Sequence, residues 1–205
     1  MANQSYTGFN PVANVDGETV QVIRRRVASN NGTAMFWGDC MKRTAAGVWG
    51  LATAGAGVSG VAQGASFFDS NLNSRKEGKF LPVSTTYSGT TFDNFGDTDE
   101  SFVYITADPV GNRFLAQYSG STPALADLTL NANFVASAGS TTTGQSGHTL
   151  NQATLATTLT LDFLVVDIWH NPLNDTTATN AKVIVQINNG LVPPFGTAAP
   201  GSVGV

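Results

Sequence analysis

Thr157–Ile168 reads TTLTLDFLVVDI and Ala181–Ile187 reads AKVIVQI. In the first stretch Leu159, Leu161, Phe163 and Val165 fall on one face of a strand. Leu164, Val166 and Ile168 fall on the other, because side chains alternate along extended backbone. A strand apolar on both faces must be covered twice, once by the core and once by more protein. In the second stretch Ala181, Val183, Val185 and Ile187 point inward. It stops at Asn188-Asn189-Gly190, residues that accept positive φ.

The same reading extends outward. Leu128–Ala136 alternates Leu128, Leu130, Ala132 and Phe134 against Thr129, Asn131 and Asn133, the pattern of a half-buried strand. Ser101–Ala107 alternates Phe102, Tyr104 and Thr106 with Val103 and Ile105. Asp108-Pro109 and Gly111-Asn112 turn the chain into Arg113–Tyr118, where Phe114, Ala116 and Tyr118 share a face. Thr19–Ala28 is β-branched and ends at Asn30-Asn31-Gly32, so a hairpin with Ala34–Gly38 is predicted. Val48–Ala52 and Gly57–Gln63 read as small-residue strands that a neighbour can approach closely. No amphipathic helix and no fixed repeat is evident. The expected class is all-β, a β-sandwich or β-barrel of about eight to ten strands.

The expected organisation has three parts. Residues 1–18 are polar and turn-rich and read as an extended N-terminal arm. Residues 19–190 form the β-rich body, and residues 191–205, rich in Pro and Gly, form an extended C-terminal tail. Within the body, residues 64–100 read as a long irregular loop between possible subdomains at 19–80 and 101–190. The length allows one barrel or two packed units. Tyr87, Phe92 and Phe95 lie in that loop and are either contact anchors or covers for the edge of the core.

Composition narrows the function. Only 12% of residues are charged, about half of the ~25% usual in soluble domains, while 41% are hydrophobic. That apolar share is too high for a disordered chain. No apolar run approaches the ~20 residues of a membrane-spanning helix, so no membrane is expected as a partner. The net charge of −4 is unevenly spread. Residues 1–80 carry eight Lys or Arg against five Asp or Glu, and residues 81–205 carry two against nine. The one basic cluster is Arg24-Arg25-Arg26. On a strand at most two of these side chains share a face. They suit either a solvated edge strand that resists aggregation or docking to an acidic protein surface. Without a cationic stripe, nucleic acid is not an expected partner. Cys40 is the only cysteine and reads as a small apolar residue folded in a reducing compartment. The opening MANQSYTGFNP lacks a basic start and an apolar core, so no secretory signal is expected.

Candidate chemistry is sparse. Gly144-Gln145-Ser146-Gly147-His148 lacks the spacing of a nucleophile elbow and reads as a turn. Asp167 and His170 supply two metal-ligand types without a third at a recognisable spacing. Asp97, Asp99 and Glu100 cluster in a polar loop rather than flanking a cleft. A hydrolase reading therefore lacks its acid/base pair, and no cofactor or metal is expected. Trp37, Trp49 and Trp169 could stack on sugars, which leaves a carbohydrate-binding β-sandwich module as the alternative reading; buried core tryptophans are the plainer one.

Asn133–Asn151, NFVASAGSTTTGQSGHTLN, is followed by a strand, by His170–Asp175 (HNPLND) and by Ala181–Asn189 (AKVIVQINN). In this order the segments resemble the C-terminal half of a family of tailed-phage capsid decoration, or cement, proteins. Ala34–Lys42, Gly57–Gly64, Phe102–Gln117 and the opening Gly8–Val12 (GFNPV) match more loosely. The resemblance covers about two-thirds of the chain and departs at residues 64–100 and at the C-terminus. It implies a β-rich structural protein on the outer surface of the virion capsid, folded in the host cytoplasm. It also implies a homotrimer bound to the major capsid protein and no catalytic residues. The candidate capsid contacts are Gly8, Phe9, Asn10, Pro11, Arg24, Arg25, Arg26, Tyr87, Phe92 and Phe95.

Overall fold

The computed structural model describes residues 8–14, 19–28, 32–45, 47–69, 72, 74–83, 101–106, 111–120 and 122–188. Among these the chain is nearly all β. One sheet runs, in spatial order, β1 (Asn10–Asn14), β10 (Asn112–Gln117), β15 (Lys182–Ile187), β14 (Phe163–Ile168) and β11 (Asn131–Ala132). The other runs β2 (Val22–Arg26), β9 (Phe102–Thr106), β6 (Gly60–Asp69), β4 (Cys40–Arg43) and β5 (Trp49–Leu51). The far half of β6 also pairs with β7 (Ser74–Gly78). Two short ribbons, β3 (Met35–Phe36) with β8 (Phe80–Leu81) and β12 (Phe134–Val135) with β13 (Thr149–Leu150), complete the set. Every pair between these strands is antiparallel.

Two apolar cores share one wall. The first gathers Phe9, Phe114, Tyr118, Phe134, Phe163, Val165, Val183 and Val185. The second gathers Val27, Met35, Met41, Trp49, Leu81, Val103 and Ile105. β4 and β6 lie between them. Cys40 and its partner Val61 belong to the first core, while Met41 and Ala62 belong to the second. That is the period-two pleat with both faces buried. The cores do not follow the charge split near residue 80. β9 lies beyond that point yet pairs with β2 and β6.

The inward face of β15 is as its alternation predicts, with Ala181, Val183, Val185 and Ile187 all buried. β14 is shorter than expected and its faces change partway. A bulge between Val165 and Asp167 shifts the register, so Ile168 turns to the same buried side as Phe163 and Val165. Leu159, expected on that strand, lies outside it and is exposed. The predicted hairpin between residues 19–28 and 34–38 does not form. β2 pairs with β9 and β3 with β8, because non-local burial overrides the Asn-Gly turn signal. Residues 64–81, expected as loop, are largely the strands β6, β7 and β8. β7 carries no apolar alternation because all five of its residues are exposed. Tyr87, Phe92 and Phe95 lie outside the described residues, as do residues 191–205.

The expected N-terminal arm is, over residues 8–14, part of the body. Phe9 is fully buried and stacks on Phe163, with ring centroids 4.3 Å apart. Its N–H donates to the Gly38 carbonyl at 3.0 Å, and the Gly8 N–H donates to the His148 carbonyl at 2.8 Å. Gly8 and Gly38 have φ of 93° and 91° and sit against each other. A Cβ on Gly38 would lie 3.0 Å from the Gly8 Cα, so only glycine fits there. From Asn10 onward the segment is an edge strand on β10, where Pro11 is tolerated.

Phe9→Ala removes a stacked ring from a closed core, so a loss of roughly 3–5 kcal/mol is expected in urea unfolding. A loss under about 1 kcal/mol would mean that this segment does not hold the body together.

Candidate functional site

The basic cluster sits on β2, and register decides which arginines act together. Arg26 lies opposite Phe102, Arg24 opposite Tyr104, and Arg25 opposite Val103. Directly paired residues share a face. Arg24 and Arg26 therefore point outward with Phe102 and Tyr104. Arg25 emerges on the side where Val103 and Ile105 are buried in the second core. Crossing to β6, Ser66 lies opposite Phe102, and on β7 Glu77 lies opposite Ser66. Phe68 pairs with Arg75 at the next position outward.

Side chains lock this face. The Arg24 guanidinium lies 3.5 Å from the centre of the Phe102 ring, and that of Arg75 lies 5.5 Å from it. Cation–π contacts of this kind fix the planar group against the sheet. An Arg75 Nη1–H donates to the Ser66 Oγ at 2.9 Å, and the Tyr104 hydroxyl donates to the Glu77 Oε1 at 2.8 Å. Burial, and then the Glu77 carboxylate, push the Tyr104 phenol above its ordinary value, so it remains a donor. On the opposite side Lys76 pairs with Asp69 at 2.7 Å. Among the described residues, this outer face carries Arg24, Arg75, Phe102 and Tyr104 over a buried apolar layer. Arg75, Phe102 and Tyr104 could not be found from sequence, because only the register joins them to Arg24.

The other candidates stand elsewhere. Gly8 and Phe9 are buried in this chain's own core, while Asn10 and Pro11 lie on the edge strand β1. The tryptophans do not share a platform. Trp49 is buried in the second core, Trp37 lies beneath Lys79, and Trp169 lies beside Lys182. Asp167 accepts the N–H of its neighbour Ile168. Among the described residues, no group of three His, Cys, Asp or Glu side chains converges as a metal site.

The Gly144–His148 stretch does gather titratable groups. Asp39 accepts the Phe36 N–H at 2.7 Å and is hydrogen-bonded to the Ser146 side chain. The Ser146 Oγ also accepts the His148 N–H at 2.9 Å. His148 accepts the Cys40 N–H on Nδ1 at 3.2 Å, so its proton is on Nε2, 3.5 Å from the Asp39 Oδ1. Both ring nitrogens thus face protein groups rather than the Ser146 hydroxyl. The arrangement braces backbone and does not build a nucleophile with its base. Asp39 and His148 line a mostly apolar recess of about 440 Å³ together with Thr33, Phe36, Leu51 and residues 136–139.

No family model matches this chain, and neither the curated proteins nor the solved structures searched yield a match.

Burial raises the Asp39 carboxyl from 3.8 to about 6 and lowers the His148 imidazole from 6.5 to about 4. The raised carboxyl contributes stability that is present in acid and is lost as pH rises through about 6. The lowered imidazole contributes stability that is present above 6.5 and is lost as pH falls through about 4. The two oppose over the same window, so the native protein should show little net slope from this pair. Burial causes each shift, so each survives loss of the other group. Asp39→Asn should make stability fall as pH drops from neutral toward 4.5, and His148→Gln should make it rise. Urea unfolding of both variants across that range checks this, and slopes of the same sign would refute it.

Proposed function

We propose that this chain is a structural virion protein that decorates the outer surface of a tailed-phage head. In this reading it stabilises the shell by bridging major capsid protein subunits, as a homotrimer with a β-sandwich or β-barrel body. The observation that carries the reading is the rigid outer face of β2, β9, β6 and β7, where Arg24 is stacked on Phe102. A sheet face on which arginines are already held against an aromatic ring suits docking onto a protein surface. The order of segments from Asn133 to Asn189 adds support through its resemblance to decoration proteins. So does the sparse charge of the chain, since interface cores are depleted in charged residues.

The carbohydrate-binding reading has less support. Its three tryptophans stand on separate elements, and one of them is buried.

Shell binding is tested by co-sedimentation with capsids assembled from the major capsid protein alone, over a series of salt concentrations. Saturable binding near one copy per capsid subunit is expected, weakening as salt rises. Replacing Arg24, Arg25 and Arg26 together by Ala should lower occupancy at every salt concentration. Absence of binding at any salt concentration would remove the reading.

A further inference from the structure

We propose that the recess lined by Asp39 and His148 binds a small uncharged molecule with an apolar body and one hydroxyl group, the hydroxyl seated against Asp39. The inference goes beyond shell binding and uses none of the arginines of β2 and β7. Three observations carry it.

The first is size. The recess holds about 440 Å³, inside the ~300–1,000 Å³ range of small-molecule sites. The second is a preformed wall. The Phe36 ring stacks on Phe80 with centroids 5.5 Å apart, and a Cβ at Gly139 would strike that ring. Glycine therefore lets residues 136–139 lie close against Phe36. Ala34 and Leu51 extend the apolar lining. An apolar body that enters leaves water without much reordering of the protein.

The third is an unmet acceptor. Asp39 is only 2% exposed, and its Oδ2 takes the Phe36 N–H. Among the described residues its Oδ1 has no hydrogen-bond partner. A buried carboxylate oxygen without a donor is costly. His148 stands beside it, held by the Phe134 ring at 5.0 Å between centroids and by the Cys40 N–H on Nδ1. Its Nε2 lies 3.5 Å from the Asp39 Oδ1 without a hydrogen bond between them. Oδ1 is enclosed at the wall, so meeting a ligand takes a small rotation of the carboxylate, which the gain of a donor offsets.

This pair selects the ligand. Asp39 needs a donor, and the Nε2–H of His148 offers one. A hydroxyl both donates and accepts, so it suits the two together. An ammonium only donates and would face the Nε2–H, while a carboxylate would face Asp39. Mostly apolar walls also disfavour an ion.

The test titrates the full chain with para-propylphenol at neutral pH and follows assigned backbone amide signals by NMR. There the Asp39 carboxyl, raised to about 6, is ionised, and His148, lowered to about 4, is neutral. Saturable shifts are expected at the amides of Phe36, Leu51, Ala138 and His148. The methyl ether of the same phenol, which accepts but cannot donate, should bind roughly fivefold more weakly. In Asp39→Asn an amide donor stands in place of an acceptor, so that preference should vanish. Ala136→Phe fills the exposed rim and should abolish binding, whereas Ala153→Phe, the same ring at an exposed site outside the lining, leaves it unchanged. Thermal unfolding confirms that each variant is folded. Absence of shifts at the lining would overturn the proposal, as would binding untouched by Ala136→Phe. Equal binding of phenol and ether by the native chain, or a preference that survives Asp39→Asn, would remove Asp39 as the recognition group and overturn it too. Tighter binding of para-propylbenzylammonium would overturn the choice of a hydroxyl ligand. Capsid co-sedimentation is a separate readout, so failure here leaves the shell reading standing, and failure there leaves this site standing.

Discussion

The tight backbone packing around Gly38 is the constraint on which the rest of this structure depends. Its N–H donates to the Ala62 carbonyl, and its own carbonyl accepts the Phe9 N–H. The next residue, Asp39, takes the Phe36 N–H on its carboxylate, while Cys40 donates its N–H to the His148 ring. Residues 36–40 thereby satisfy polar groups from the N-terminal segment, from β6 and from the 146–148 stretch. A side chain at Gly38 would collide with Gly8 and unseat Phe9. Immediately beyond, Cys40 and Met41 point into different cores. One short turn thus joins the N-terminal segment, β6 and the 146–148 stretch at the wall that the two cores share.

Buried carboxylates do similar work elsewhere. Asp162 is fully buried and receives the Gly55 N–H at 2.8 Å and the Gly57 N–H at 3.3 Å, tying the loop after β5 to the start of β14. Burial raises its carboxyl, and those N–H groups pull it back down. Asp127 accepts the Ala124 N–H at 2.8 Å and the Tyr118 hydroxyl at 3.3 Å. A chain with few charges places several of them inside, as partners for backbone that no strand satisfies. The arginines of β2 and β7 stand apart from that internal use.

What the sequence could reveal follows from which signals are local. The inward face of β15 was legible because its alternation is unbroken and its burial is complete. β14 was legible in composition but not in facing, because a single bulge reverses the parity that alternation relies on. The seat of Phe9 was illegible, since one aromatic among polar residues has no period, and its partner Phe163 lies more than a hundred residues away. The Asn-Gly signal after β2 misled for the opposite reason. It describes the turn well and says nothing about which strand lies beside β2. For the arginine face, the pleat allowed at most two of Arg24, Arg25 and Arg26 to act together. Only the pairing with β9 and β6 adds Arg75, Ser66 and Phe102 to them.

That last step bears on how a sheet makes a durable contact. A binding loop must be ordered when its partner arrives, at roughly 1–2 kcal/mol of backbone entropy per residue. In the proposed contact with a shell, the face on β2, β9, β6 and β7 would avoid most of this. Its backbone is fixed by the antiparallel ladder, and its inner side is anchored by Val103, Ile105 and Ala65 in the second core. Arg24 and Arg75 are held on one ring before any partner is present. Individually such surface charges contribute little, about 1 kcal/mol or less. Repeated over many copies on one large assembly, weak contacts that need little ordering gain from effective concentration rather than from individual strength. In the proposed shell contact, the same geometry would make binding sensitive to salt and to the orientation of β2, which its register with β9 fixes.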